Sequence, residues 1–105
     1  MNQKRRPFVI VSRDTFNRDD RYLKALVVHL TTARRPAGPY DWEVEIPRGT
    51  ARIPEASIAK CNEVYTVFKR NLEGPIGTLP ANVVGRIDRA LALVLALPVP
   101  LAANE

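Results

Sequence analysis

"KRRPFVIVS", Lys4 to Ser12, sets three consecutive cations directly against a run of aromatic and β-branched residues. Such a run, opened by Pro7 and closed by the polar segment Arg13–Arg21, reads as a buried strand followed by a loop. Branched side chains pack well on a pleated surface, and proline is tolerated at a strand's first position. A charge that only solubilises a chain can sit anywhere, whereas one at the mouth of a core strand is held still by that strand.

The pattern downstream is of the same kind. Leu23–Thr31, "LKALVVHLT", is a second apolar run whose Val27-Val28 centre favours a strand. Thr32–Asp41, with two prolines, a glycine and the tandem Arg34-Arg35, reads as a loop. Trp42–Ile46, "WEVEI", alternates apolar and acidic residues, which predicts a strand with one wet face. Two short strands are predicted over Ala56–Cys61 and Glu63–Phe68, then a single helical turn at Lys69–Leu72. The one strong helical period spans 80–97: Pro80 suits the first turn, and Val83, Val84, Ile87, Leu91, Val94 and Leu95 share a face, with Arg86 and Arg89 opposite. From Ala90 to Leu97 the polar side disappears, which predicts burial nearly all round, under the sheet or against a second subunit. Short strands followed by one C-terminal helix give a mainly β fold, a partly open barrel or strongly bent sheet with the helix packed on it.

At 105 residues the chain is read as a single domain, with a basic arm at 1–6. Its longest apolar run is far short of the ~20 residues that a membrane span needs, and no signal-peptide core follows the basic start. The expectation is a cytoplasmic protein. One cysteine, Cys61, and one histidine, His29, exclude an internal disulfide and a conventional zinc site, so no metal or cofactor is predicted. The net charge of +5 is uneven: residues 1–35 hold nine Lys or Arg against three Asp, and residues 36–105 seven against eight acids. One end of the molecule is therefore built for an anionic partner, nucleic acid first and an acidic protein segment second, unless the arm is only a solvated terminus.

Familiar catalytic constellations are absent: no Gly-rich phosphate loop, no nucleophile elbow, no pair of histidines. What remains is a set of arginines, threonines and a few carboxylates or amides. Such a set is poorly equipped to hydrolyse a peptide but suits RNA cleavage, where the substrate's own 2′-hydroxyl is the nucleophile. The protein then needs donors for a phosphorane-like charge, and arginine offers five in a fixed fork.

"RRPFVIVSRDTFN" (Arg5–Asn17), "VVHLTT" (Val27–Thr32), "CNEVYTVFKRNL" (Cys61–Leu72) and "IGTLPANVVGRIDRALALVLAL" (Ile76–Leu97) fall in the order and spacing of the MazF/PemK/Kid-like toxins of type II toxin–antitoxin modules, within the CcdB/PemK superfamily. The chain resembles that family over about nine tenths of its length. The resemblance implies an SH3-like barrel, a homodimer, and a metal-independent ribonuclease that cuts single-stranded RNA at short sequences. It further implies an antitoxin whose acidic tail occupies the RNA groove.

The family's Arg-Pro step falls on Arg6-Pro7 and its catalytic threonine on Thr31. By this resemblance Arg6 holds the scissile phosphate and moves a proton near the leaving 5′ oxygen, and Thr31 donates to a non-bridging oxygen. Lys4 and Arg5 would grip neighbouring phosphates, and Arg34 and Arg35 would clamp RNA or antitoxin. The family's acid falls on Asn62, its glutamine on Glu63 and its arginine on Tyr65. Asn62 or Glu63 is the candidate proton acceptor, although one residue's shift along a strand turns a side chain to the other face. Tyr65 is a candidate for stacking on a base, or a half-buried strand tyrosine. His29 shares the strand face of Thr31 and is read as structural before catalytic, and Trp42 as core or interface. Family members open with a Gly-Asp-Ile-Trp strand and a loop over the substrate; Met1 lies only a few residues before Arg6, so that strand is either encoded upstream or missing. The competing readings are a CcdB-like gyrase-binding toxin, whose Trp-Gly-Ile ending "PVPLAANE" lacks, and a catalytically lapsed member that still binds RNA or antitoxin.

Overall fold

Alternation along four antiparallel strands sorts the side chains of this protein onto two unlike faces. The computed structural model describes residues 6–32 and 38–98. In chain order the elements are β1 (Phe8–Ile10), α1 (Asp14–Arg18), β2 (Lys24–Thr31), β3 (Glu43–Ile46), β4 (Ser57–Phe68) and α2 (Ala81–Val94). The strands form one curled sheet in the order β1-β2-β4-β3, half of a barrel, with the C-terminal helix against it. This is the mainly β, partly open barrel that the sequence predicts. Among the described residues no helix is long and apolar enough to cross a membrane.

One face is the core. Val28 and Leu30 of β2, Val44 and Ile46 of β3, and Ala59 and Cys61 of β4 meet Val83, Ile87 and Ala90 of α2, with Ile53 from the β3–β4 connection. Burying a side chain of this size contributes about 1.5–3 kcal/mol, so this cluster is the main source of cohesion. Val9 and Val11 pack against the same cluster. Arg6, Phe8 and Ile10 on β1's line, and Val27, His29 and Thr31 on β2, therefore point to the opposite face.

Several elements differ from the sequence reading. The segment Arg13–Arg21 contains the short helix α1. It closes because Ser12 Oγ donates to Asn17 Oδ1 at 2.6 Å and Asn17 Nδ2 donates to the Ser12 backbone carbonyl at 2.7 Å, and because Lys69 Nζ donates to the carbonyls of Phe16 and Asp19. Five residues carry no readable helical period. The two short strands predicted over 56–68 are one continuous strand, β4, which pairs with β3 along its first part and with β2 along most of its length. Its neighbours, not its own pattern, keep it extended. Glu43 of β3, predicted to be wet, is buried and accepts the Tyr40 backbone N–H at 3.0 Å.

The helix predicted over 80–97 is α2, with Pro80 as its N-cap residue. It ends where Ala96 enters the left-handed region (φ 56°), while Ala96 N–H bonds Leu93 O at 3.2 Å and Leu97 N–H bonds Ala92 O at 2.8 Å. That pair of bonds is a Schellman closure with alanine where glycine is usual. Of the two covers predicted for this segment, the chain's own sheet supplies only part: Ala90 and Ala92 are buried, but Leu93, Leu95 and Leu97 are at least half exposed.

Candidate functional site

The face turned away from α2 carries the chemistry. β1 and β2 pair as Phe8↔His29, Val9↔Val28 and Ile10↔Val27. Arg6 stands two residues before Phe8, just outside β1, and Thr31 two residues after His29 at the end of β2, so both lie toward the same end of the β1–β2 pair. Arg6 is exposed and Thr31 half-buried. The two leading sequence candidates thus lie toward one end of the β1–β2 pair, with Pro7 between Arg6 and the strand.

The next row inward is aromatic. Phe8 and His29 meet edge to face, with ring centroids 5.7 Å apart, and His29 meets Tyr65 in the same manner at 6.5 Å. His29 is half-buried between them, while Phe8 and Tyr65 keep 38% and 47% of their surface exposed. The structural role expected of His29 matches this wedged position.

Tyr65 and Glu63 reach this face through an irregularity. β2 pairs with β4 as Leu30↔Ala59 and then as Val28↔Val64, which leaves Lys60, Cys61, Asn62 and Glu63 opposite the single residue His29. Such a bulge breaks the two-residue alternation and re-aims side chains. The concern that a one-residue shift would send Glu63 to the wrong face is thereby removed. Tyr65 Oη donates to Glu63 Oε1 at 3.2 Å, and Lys60 Nζ lies 3.2 Å from Glu63 Oε2. The bond from Lys60 holds the Glu63 carboxyl below its ordinary range, with Tyr65 adding to it against an opposing push from desolvation. The Tyr65 phenol is raised chiefly by its bond to Glu63. A carboxylate already occupied from both sides is a poor proton acceptor and a good anchor. Asn62 is exposed in the bulge.

Two members of this face, Phe8 and Lys60, were not singled out from sequence. Phe8 was findable, since it sits two residues from Arg6 on a strand. Lys60 was not, because its contact with Glu63 depends on the bulge. Lys4, Arg5, Arg34 and Arg35 lie outside the described residues. Trp42 is neither core nor part of this row: it stacks on Tyr40 at 4.8 Å, at the rim. Among the described residues no cluster of His, Cys, Asp and Glu has the makings of a metal site. Cys61, the residue before Asn62, is fully buried on the core side, where desolvation pushes its thiol up to about 11.

Comparison with known proteins places this geometry. The model of the PemK-like, MazF-like toxin of type II toxin–antitoxin systems matches residues 1–95. Endoribonuclease MazF6 of Mycobacterium tuberculosis and Endoribonuclease MazF2 of Mycobacterium bovis are each 28% identical to the chain over 94 residues, covering 90% of it and 81% of the relative. Among solved structures, an endoribonuclease in complex with its cognate antitoxin from a mycobacterial species superposes with a TM-score of 0.75 at 26% identity, covering 90% of this chain and 84% of that one. The Mycobacterium tuberculosis toxin MazF-mt6 superposes equally well, at 0.75, with 22% identity over 89% of this chain and 88% of its own, a likeness of fold.

Proposed function

The chain belongs to the PemK-like, MazF-like toxins of type II toxin–antitoxin systems, and from that premise we infer that it is a metal-independent endoribonuclease acting on single-stranded RNA in the cytoplasm. The observation that supports this reading is the β1–β2 pairing, Phe8↔His29 to Ile10↔Val27, which leaves Arg6 and Thr31 each two residues beyond the same end of the pair.

A phosphodiester laid across that end of the pair meets a permanent cation on one side and a hydroxyl donor on the other. The substrate's 2′-oxygen attacks the phosphorus as the bond to the 5′ oxygen breaks, leaving a cyclic phosphate and a 5′-hydroxyl. The proton lost by the 2′-hydroxyl is restored on the leaving 5′ oxygen, so no water is consumed. The share of the Arg6 guanidinium is electrostatic: fixed donors aimed at charge that grows on the non-bridging oxygens. Thr31 adds one neutral donor from the facing strand. Lys4 and Arg5 precede Arg6, and Arg34 and Arg35 follow Thr31, so four more cations flank the row in sequence as backbone contacts. Glu63 anchors Tyr65, and Asn62 is left at the bulge as a phosphate contact.

The partners that follow are an acidic antitoxin, which competes for the cationic row, and a second copy of the chain, for which the exposed Leu93, Leu95 and Leu97 offer apolar surface. The test is incubation of the purified protein with single-stranded RNA in excess chelator. Cleavage yielding 2′,3′-cyclic phosphate and 5′-hydroxyl ends, lost in Arg6→Ala, is the expected result. A requirement for added metal, or 5′-phosphate ends, would overturn the reading.

A further inference from the structure

The geometry points to Phe8, His29 and Tyr65 as a nucleobase-stacking strip that seats the base beside the phosphate held at Arg6 and Thr31. The inference rests on the ribonuclease reading for its ligand, and on three observations for its place.

The first is position. Phe8 is two residues along its strand from Arg6, and His29 two residues from Thr31. Two residues of strand advance about 6.6–6.8 Å. The aromatic row thus begins one step from the phosphate row, on the same face and on the same two strands. A nucleotide whose phosphate lies across the first row has its base delivered near the second.

The second is that these rings are not part of the core. The cluster beneath α2 is built from the opposite face, and neither Phe8, His29 nor Tyr65 belongs to it. Phe8 and Tyr65 each meet the half-buried histidine edge to face. Their outer surfaces stay open in a region where the neighbouring side chain is a guanidinium. Exposed rings beside cations are what an anionic chain of flat bases complements, since every base has a face to stack and every link a charge to neutralise.

The third is that Tyr65 is tethered. Its hydroxyl is bonded to Glu63, which Lys60 secures from the other side. A ring whose rotamer is already chosen loses less entropy when a base settles on it. Glu63 and Lys60 are positioning residues for the strip, and the bulge that aims Glu63 at Tyr65 is what makes the arrangement possible. Because stacking tolerates any base, the strip supplies affinity and register along the strand and leaves base identity to other contacts.

The experiment uses the full-length protein and single-stranded oligoribonucleotides of random sequence carrying 2-aminopurine at one position, with every 2′-hydroxyl methylated so that nothing is cleaved. Stacking quenches the fluorescence. The parent is expected to quench, and Tyr65→Leu and Phe8→Leu, which keep apolar bulk but lose the ring face, should weaken binding by ~5- to ~100-fold each. Tyr65→Phe, which keeps the ring and loses the tether, should fall between them and the parent. In a cleavage assay with unmodified RNA the leucine variants should raise KM far more than they lower kcat. Arg6→Ala should lower kcat by ~10²–10³-fold while weakening the quench far less than the leucine variants do. Leucine variants that quench and bind like the parent, with folding verified by circular dichroism, overturn the strip while leaving the nuclease intact. A parent that quenches in a Tyr65-dependent way but cleaves no RNA supports the strip and overturns the nuclease. A parent that gives no quench at all overturns the strip outright.

Discussion

If Arg6 and Thr31 act on one phosphate, their removal must be non-additive, and a double-mutant cycle measures this directly. Under the proposal the register Phe8↔His29 runs on by two residues, which would make them cross-strand neighbours about 4.5–5.5 Å apart at Cα. Deleting a preorganised donor that faces developing oxyanion charge costs ~10²–10³ in kcat, and Arg6→Ala should lie in that range. Thr31→Val keeps the shape and removes one neutral donor to a charged group, about 1.5–3 kcal/mol, or ~10- to ~100-fold. Independent effects would multiply to ~10³–10⁵. With a shared phosphate, loss of the guanidinium lets the substrate shift, so the threonine's remaining contribution shrinks and the double variant should fall no more than ~10-fold below Arg6→Ala. Arg6→Lys should recover only part of the loss, because it restores the charge and not the fork. Single-turnover cleavage of one oligoribonucleotide by all four proteins is the assay, with melting temperatures as the control for folding. Strict multiplication of the two losses, to within about twofold, would refute a common phosphate, and the pairing of these residues with it.

Gly77→Ala should destabilise by about 2–3 kcal/mol, read as a lower urea midpoint, because the added Cβ would stand 2.3 Å from the Ala51 carbonyl oxygen and backbone atoms cannot swing aside. Ala96→Gly should instead stabilise by about 0.5–1 kcal/mol, seen as a melting temperature a few degrees higher, by relieving the left-handed conformation at the end of α2. Cys61, held near 11 by burial, should resist iodoacetamide at pH 8 in the native protein and react readily once unfolded in urea. Its folded-state value is raised, so the stabilisation linked to it is complete below the unfolded value and is lost as pH climbs toward 11. The difference in melting temperature between the parent and Cys61→Ala should therefore change between pH 8 and pH 11 and stay flat below pH 8.

What the sequence made legible follows from where the physics is local. β1, β2 and β3 announce themselves through branched and aromatic runs bounded by proline, glycine and charge, and α2 through its period. The sequence reads β4 as two strands because Asn62 and Glu63 interrupt its apolar pattern, whereas pairing with β3 and β2 before them and with β2 after them keeps the chain extended through the bulge. α1 was invisible because its stability resides in the Ser12–Asn17 exchange and in Lys69, roughly fifty residues away in sequence. In the site, Arg6 and Thr31 are legible only through family resemblance, which names residues and not their contacts. No linear pattern encodes the contact of Glu63 with Lys60, which depends on the bulge.

The bulge also explains how one small sheet serves two ends. Without it, strict alternation along β4 would place residue 63 on the face of Ala59 and Cys61, beneath α2, where an ionised carboxylate has no partner and would cost several kcal/mol. Inserting the extra residues opposite His29 leaves Cys61 in the core, sends Glu63 outward, and brings Tyr65 beside the histidine. Val27 and Val28, both fully buried on either side of the sheet, keep that segment of β2 rigid while the opposite strand deviates. The apolar face can therefore be packed without regard to the polar one, and the polar face inherits a fixed backbone for its aromatic row of Phe8, His29 and Tyr65. A substitution that removed the irregularity would not simply delete one contact. It would slide the remaining half of β4 against β2 and carry Tyr65, with everything it touches, to the wrong side of the sheet.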